Sequence, residues 1–208
     1  WTSRIILDPD TDVHRILTRY DSTLPERVAE LVHGRHELTF LARAVSGTFD
    51  VDRCDYLLRD AYFTGVGYGS FDLDWLLRSL CLGVPAADGQ PPPLAIDGAK
   101  GLPAIESFIL ARLFMFQQVY FHKTCRASEW LLARILGWVR ELLVDGTRLP
   151  MVPPAVASLA RDGDARLAEY LSLDDALLWT SISEWRSAAD PILRDLCQRL
   201  VARQLFKT

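Results

Sequence analysis

The chain has 208 residues, half of them hydrophobic and 24% charged, with a formal net charge of −4. This length predicts one domain with at most a small appended subdomain, and the apolar fraction is enough for a substantial core. The mild acidity argues against a general nucleic-acid binder, which carries a basic excess; no apolar run reaches membrane-spanning length, and the opening WTSRIILDPD lacks the basic-then-apolar pattern of a signal peptide.

The four cysteines, Cys54, Cys81, Cys125 and Cys197, are scattered, and no two are spaced as CxxC. They read as reduced, buried thiols, which predicts a cytoplasmic location. The chain opens on Trp1 rather than Met, and its first residues read as the continuation of a longer protein.

Helical periodicity dominates from there on. The first predicted helix is Asp10 to Arg19, with Val13, Ile16 and Leu17 on one side. In the turn YDSTLPE, Thr23 and Glu26 have capping-box spacing and Pro25 suits a first helical turn, so a second helix is expected up to about Val32. Glu37 to Val45 predicts a third, and Asp50 to Tyr62 a fourth. GVGYG, Gly65 to Gly69, is a loop, and Asp72 to Leu80 is helical again. Gly83 to Pro103 reads as a long loop with a short strand near Leu94 to Ile96, half of a hairpin. Loops this long in compact domains are often functional.

Pro103 is expected to open the longest helix, to about Lys123 and onward with little break to Leu143, ended by Asp145-Gly146. After the Pro-rich LPMVPP, helices are expected over Pro154 to Ala160, Ala165 to Tyr170, Asp174 to Arg186 and Pro191 to Lys207, with Ser172 and Asp175 as the N-cap pair of the third. No repeat has a solenoid period. The expected fold class is all-α.

The stretch FDVDRCDYLLRDAYFTG, Phe49 to Gly65, carries the densest chemistry. At about 100° per residue, Cys54, Leu57, Leu58 and Ala61 share one side of a helix, and Asp52, Asp55, Tyr56, Arg59 and Asp60 the other. Asp52, Tyr56 and Asp60 fall at i, i+4 and i+8, so a phenol sits between two carboxylates along one line. One reading is a solvated face with an Asp55–Arg59 pair, worth only ~0.3–0.5 kcal/mol. The other is a site: a carboxylate can ligate a cation, the Arg53 guanidinium matches phosphate oxygens, and a tyrosine ring can pack on a sugar or base.

FDVDRCDYLLRDAYFTGVGYGSFD, then AIESFILARLFMFQQVYFHK (Ala104 to Lys123) and LVARQLFK (Leu200 to Lys207), resemble in order three blocks of the HD-domain phosphohydrolases. The closest likeness is to their deoxynucleoside-triphosphate triphosphohydrolase branch. The resemblance implies a mainly helical HD-domain-like core over residues 1–145 and a small helical C-terminal subdomain over 146–208. It implies a divalent metal (Mg, Mn, Fe or Zn), held by an early His, a His-Asp doublet and a later Asp that matches Asp52. By the same match Arg53 would meet substrate phosphate, Tyr56 would pack on the sugar, and Asp60 would accept a hydrogen bond from the ribose 3′-hydroxyl. On the next block Arg112 resembles a phosphate-contacting arginine and Tyr120 a tyrosine at the sugar edge. Phe116 stands where the vertebrate enzyme has a histidine. His122, Lys123 and Arg203 resemble residues of a regulatory nucleotide site at a subunit boundary, and Arg199, Arg203 and Lys207 repeat at four-residue spacing. Core aromatics and a solvated basic face are the ordinary readings of those two segments.

The family's early His and His-Asp doublet are missing. The histidines are His14, His33, His36 and His122, none followed by Asp. HGRHE, His33 to Glu37, fits neither zinc-helix spacing and reads as a surface loop, and GVGYG fails as a nucleotide fingerprint because a helix precedes it. The resemblance therefore implies the C-terminal part of an HD enzyme lacking the upstream metal-ligand helices. Two readings stand. One is part of a metal-dependent enzyme that converts deoxynucleoside triphosphates to nucleoside and triphosphate; the other is a non-catalytic nucleotide-binding or oligomerisation module derived from such an enzyme. A hydrolase for another phosphoester, such as a nucleoside monophosphate, is a weaker third. The implied partners are a nucleotide and further copies of the chain, with neither membrane nor strong nucleic-acid signal.

Overall fold

A computed structural model describes residues 1–85 and 89–206. Its helices are α1 (Thr2–Leu7), α2 (Asp12–Tyr20), α3 (Leu24–Val32), α4 (Thr39–Ser46), α5 (Val51–Thr64) and α6 (Leu73–Arg78). After a two-stranded antiparallel hairpin, β1 (Leu80–Leu82) and β2 (Leu94–Ile96), come α7 (Gly98–Met115), a π-helical turn (Phe116–Tyr120) and α8 (Lys123–Val144). The last four are α9 (Pro154–Asp162), α10 (Leu167–Leu171), α11 (Asp175–Trp185) and α12 (Pro191–Val201). The fold is all-α apart from the small hairpin. No described helix is long and apolar enough to cross a membrane.

Packing separates two compact units, Trp1–Val119 and Tyr120–Thr208. The expected division was at 145/146; by packing, α8 joins the second unit, lying against α9 and α12. In the first unit α1, α2 and α3 pack together, α4 bridges α3, α5 and β2, and α7 lies against both α5 and α6. The α5–α7 packing puts the fully buried Leu57 inward, and Phe108 of α7 is ringed by Phe49 and Phe71, each with centroids 5.1 Å away. In the second unit Leu131, Ile135 and Val139 of α8 meet Ile182 and Trp185 of α11 and Leu193 and Cys197 of α12. The Trp185 indole N–H donates to the Pro150 carbonyl at 2.7 Å, so the buried ring keeps its one donor satisfied.

Several local expectations change for physical reasons. The segment expected to be helical through Leu80 stops at Arg78, because Leu80–Leu82 pair with Leu94–Ile96 and the Asp97 N–H donates to the Ser79 carbonyl at 2.9 Å. Helix α7 starts before Pro103, at Gly98, where the Asp97 carboxylate accepts from the Ala99 and Lys100 N–H groups. It does not continue to Leu143. The π-turn intervenes, His122 caps α8 by accepting from the Thr124 N–H, and α8 rather than α7 is the longest helix. Thr23 precedes α3 but makes no side-chain cap; its hydroxyl donates to Asp21 instead. Ser172 donates to the Glu169 carbonyl, and the cap of α11 is Asp174, which accepts from the Leu177 N–H at 2.7 Å. Helix α12 ends at Val201, and Lys207 lies outside the described residues. The short helix α1 had no expectation attached. Cys54 and Cys197 are buried free thiols as expected, whereas Cys81 and Cys125 are exposed. His36 is buried, its Nδ1 accepting from the Leu38 N–H, although HGRHE reads as surface loop.

A polar line on α5 and a cavity beside α8

Helix α5 begins where Asp50, in extended conformation, accepts the Arg53 N–H at 2.8 Å. Gly65 ends it in the left-handed conformation at φ 72°, which costs glycine nothing. Gly69 lets the following loop close onto the helix: a Cβ there would lie 2.4 Å from the Leu57 carbonyl oxygen and 2.7 Å from the Ala61 Cβ. Both glycines of GVGYG with a clear role are therefore structural, serving to seat α5.

With Cys54, Leu57 and Ala61 buried, the opposite face carries exposed Asp52 and half-buried Tyr56 and Asp60. The two-faced reading of the sequence holds. Burial pushes the Cys54 thiol pKa up, and the nearby Asp50 carboxylate adds to it, so this thiol is an inert core group.

Arg53 is half-buried and already engaged. Its guanidinium donates to Asp50 and to the Gly47 carbonyl, and Asp50 is itself buried. Two contacts leave further N–H donors of a five-donor fork for an anion. Arg59 lies beside the line. Its Nε and Nη2 reach Asp55 Oδ2 at 3.0 and 2.8 Å, and its Nη1 lies 3.9 Å from Asp60. The Asp55 hydrogen bond and charge, followed by Asp60 and Asp52, hold its pKa above the usual arginine value. Sequence reasoning assigned Arg59 to a plain surface pair; the one available signal was its place between Asp55 and Asp60 in the chain.

On α7, Arg112 lies over the Phe116 ring at 5.5 Å, a cation–π arrangement that turns the guanidinium toward the π-turn. Arg112 and the α5 residues all belong to the first unit, on helices that pack against each other. Tyr120 closes the π-turn and belongs to the second unit.

Among the described residues no group of three or more His, Cys, Asp or Glu side chains could hold a metal ion. Asp52 can offer one carboxylate, and one is too few for a catalytic metal centre. An apolar cavity of about 350 Å³ opens in the first unit beside Leu58, Leu76 and Leu80, with Asp55 and Arg59 on its lining. Asp52, Tyr56 and Asp60 do not line it.

The second unit holds a cavity of about 550 Å³ between the first turns of α8, helix α11 and the segment after α12, lined by Thr124, Ser128, Trp179 and Arg203 among others. Arg203 follows α12 at φ 55°, a left-handed conformation costly for a residue with a Cβ, as the Gln204 N–H donates back to the Arg199 carbonyl at 2.8 Å. The structure thus brings Arg203 to a cavity at the start of α8, the helix that His122 caps and Lys123 opens.

With this geometry in place, comparison with known proteins is specific. The family described as HD associated region matches residues 93–208, more than half of the chain. The uncharacterized protein YwfO of Bacillus subtilis is 34% identical over 207 residues, covering 100% of this chain and 46% of that protein. The uncharacterized protein MJ1154 of Methanocaldococcus jannaschii is 30% identical over 74% of this chain and 31% of its own length. Among crystal structures, a phosphohydrolase from Bacteroides thetaiotaomicron superposes with a TM-score of 0.73 at 28% identity, covering 99% of this chain and 52% of that one. A hypothetical protein from Aquifex aeolicus gives a TM-score of 0.71 at 31% identity, covering 100% of this chain and 48% of that one. The chain thus spans about half the length of the relatives it matches end to end. On the match over its C-terminal half and more, this chain belongs to the HD-associated family of proteins related to HD-domain phosphohydrolases.

Proposed function

We propose that this chain is the substrate-side part of a metal-dependent HD phosphohydrolase that cleaves deoxynucleoside triphosphates to nucleoside and triphosphate. The observation that carries the reading is the Asp52–Tyr56–Asp60 line on the polar face of α5, beside an Arg53 anchored by Asp50. Likeness to the Bacteroides phosphohydrolase supports the reaction class; the deoxynucleotide substrate rests on the resemblance of the α5 and α7 blocks. In this reading Arg53 and Arg112 offset phosphate charge, Tyr56 packs against the sugar, and Asp60 accepts a hydrogen bond from the 3′-hydroxyl. The anchoring of Arg53 lowers the entropy lost when it meets a phosphate. A divalent metal would take Asp52 as one ligand, with the others supplied from outside the residues described here. His122, Lys123 and Arg203 would bind a regulatory nucleotide, and the protein would work as a homo-oligomer in the cytoplasm.

A second reading is a nucleotide-binding or assembly module without catalysis. Triphosphate release separates the two. The chain and a version extended upstream are incubated with mixed deoxynucleoside triphosphates and Mg²⁺ or Mn²⁺, and products are resolved chromatographically. The enzyme reading expects release by the extended version and its loss on Asp52→Ala. Release by neither version, with nucleotide binding weakened by Tyr56→Ala, selects the module.

A further inference from the structure

Asp52, Asp55 and Asp60 share one face of α5, with the Arg59 guanidinium among them. On the helical wheel Asp55, Arg59, Asp52 and Asp60 follow one another around less than half a turn. Arg59 is fastened by two N–H groups to one oxygen of Asp55, at 3.0 and 2.8 Å, which fixes the plane of the fork. The remaining Nη1 lies 3.9 Å from Asp60 Oδ1, in ion-pair range. The side chains of Arg59 and Asp55 are 52% and 62% exposed, so the pair adds little to stability. What it does supply is orientation, because a planar fork held at one end has few ways to place the other. Asp60 is the less exposed partner, at 34%.

We propose that Arg59 is a positioning residue: clamped by Asp55, it holds the Asp60 carboxylate in the orientation that accepts a ribose 3′-hydroxyl, and so sets the preference for sugars that carry one. The inference rests on the nucleotide reading of the α5 face. Arg59 itself touches no substrate; it acts through Asp60. The hydrogen bond and charge of Asp55, followed by the charges of Asp60 and Asp52, raise the Arg59 pKa, so the guanidinium stays charged at neutral pH.

The test compares binding of a 2′-deoxynucleoside triphosphate, its 2′,3′-dideoxy analogue and inorganic triphosphate by calorimetry, in Mg²⁺ buffer. Asp60→Asn should cut the preference for the 3′-hydroxyl about tenfold, as expected when a charged acceptor becomes neutral. Arg59→Gln should cut the same preference by about threefold or more while leaving the affinity for inorganic triphosphate unchanged. Asp55→Asn, which loosens the clamp without touching Arg59, should act in the same direction. The Arg59→Gln/Asp60→Asn double variant should lose no more than Asp60→Asn alone, because the two residues act in series. Loss of preference in Asp60→Asn but not in either clamp variant overturns the positioning role and leaves the site reading standing. An equal loss for all three ligands in Arg59→Gln also overturns it, since that marks a structural effect only. If wild type shows no 3′-hydroxyl preference, or Asp60→Asn keeps it, the nucleotide reading of this face falls, and the inference with it.

Discussion

The second unit gathers its large buried side chains around one centre, whereas the first spreads them over several smaller contacts. Trp185 of α11 packs in one cluster with Leu131, Ile135 and Val139 of α8 and Leu193 and Cys197 of α12. In the first unit the buried residues are divided between the α5–α7 contact, the α6–α7 contact and the α1–α3 group. Helix α7 buries Ala104, Phe108, Ala111 and Met115 and yet exposes Leu102, Ile109, Leu110 and Leu113. Helix α5, unlike α7, has one apolar and one polar face. A site needs a polar group on a rigid support, and α5 supplies that.

If the second unit has one centre, removing it should be the most damaging single change. Trp185→Ala leaves a void where the largest fully buried side chain stood and removes the partner of the Pro150 carbonyl. The expected loss is about 3–5 kcal/mol in urea denaturation of the full chain. A loss below about 1 kcal/mol would mean that the unit repacks around smaller groups and that the contrast is false.

The first unit should respond to a smaller and more local insult. Gly69→Ala pushes a methyl group against the Leu57 carbonyl and the Ala61 side chain, at 2.4 and 2.7 Å, so the loop or the helix must move. Overpacking of this kind costs about 1–3 kcal/mol. Because the contact lies directly behind the Tyr56–Asp60 stretch, the same variant should also weaken nucleotide binding more than its stability loss explains. Unchanged stability would show that the loop is loosely seated and does not support the site.

How much was legible beforehand follows from where the deciding interaction lies along the chain. The faces of α5 could be read because apolar and polar residues alternate at helical spacing, and both the buried Leu57 and the exposed Asp52 fall as expected. The faces of α7 could not, since apolar residues surround it and only packing chooses among them. Leu73, Leu76, Leu77 and Leu80 have a helical period, and yet Leu80 is a strand residue, because its partner Ile96 is remote in sequence. The engagement of Arg53 by Asp50 and the Gly47 carbonyl was equally hidden: Asp50 caps α5, and the same carboxylate also holds the guanidinium three residues on.

Caps give the finest test, since the residue that caps α11 stands two positions after the Ser172 that spacing favours. Ser172 and Asp174 both precede α11, and both are residue types that cap helices. The hydroxyl of Ser172 turns back to the Glu169 carbonyl at 2.7 Å and belongs to the end of α10. Asp174 has the extended backbone of a cap, and its carboxylate takes the Leu177 N–H at 2.7 Å. Asp174→Ala should therefore cost about 1 kcal/mol. Ser172→Ala, which gives up one exposed bond, should stay within ~0.5 kcal/mol. Urea midpoints of the two variants measured side by side decide it. The reverse order would return the start of α11 to the Ser172–Asp175 pair that spacing alone favours, and would mean that α10 and α11 meet in a different turn.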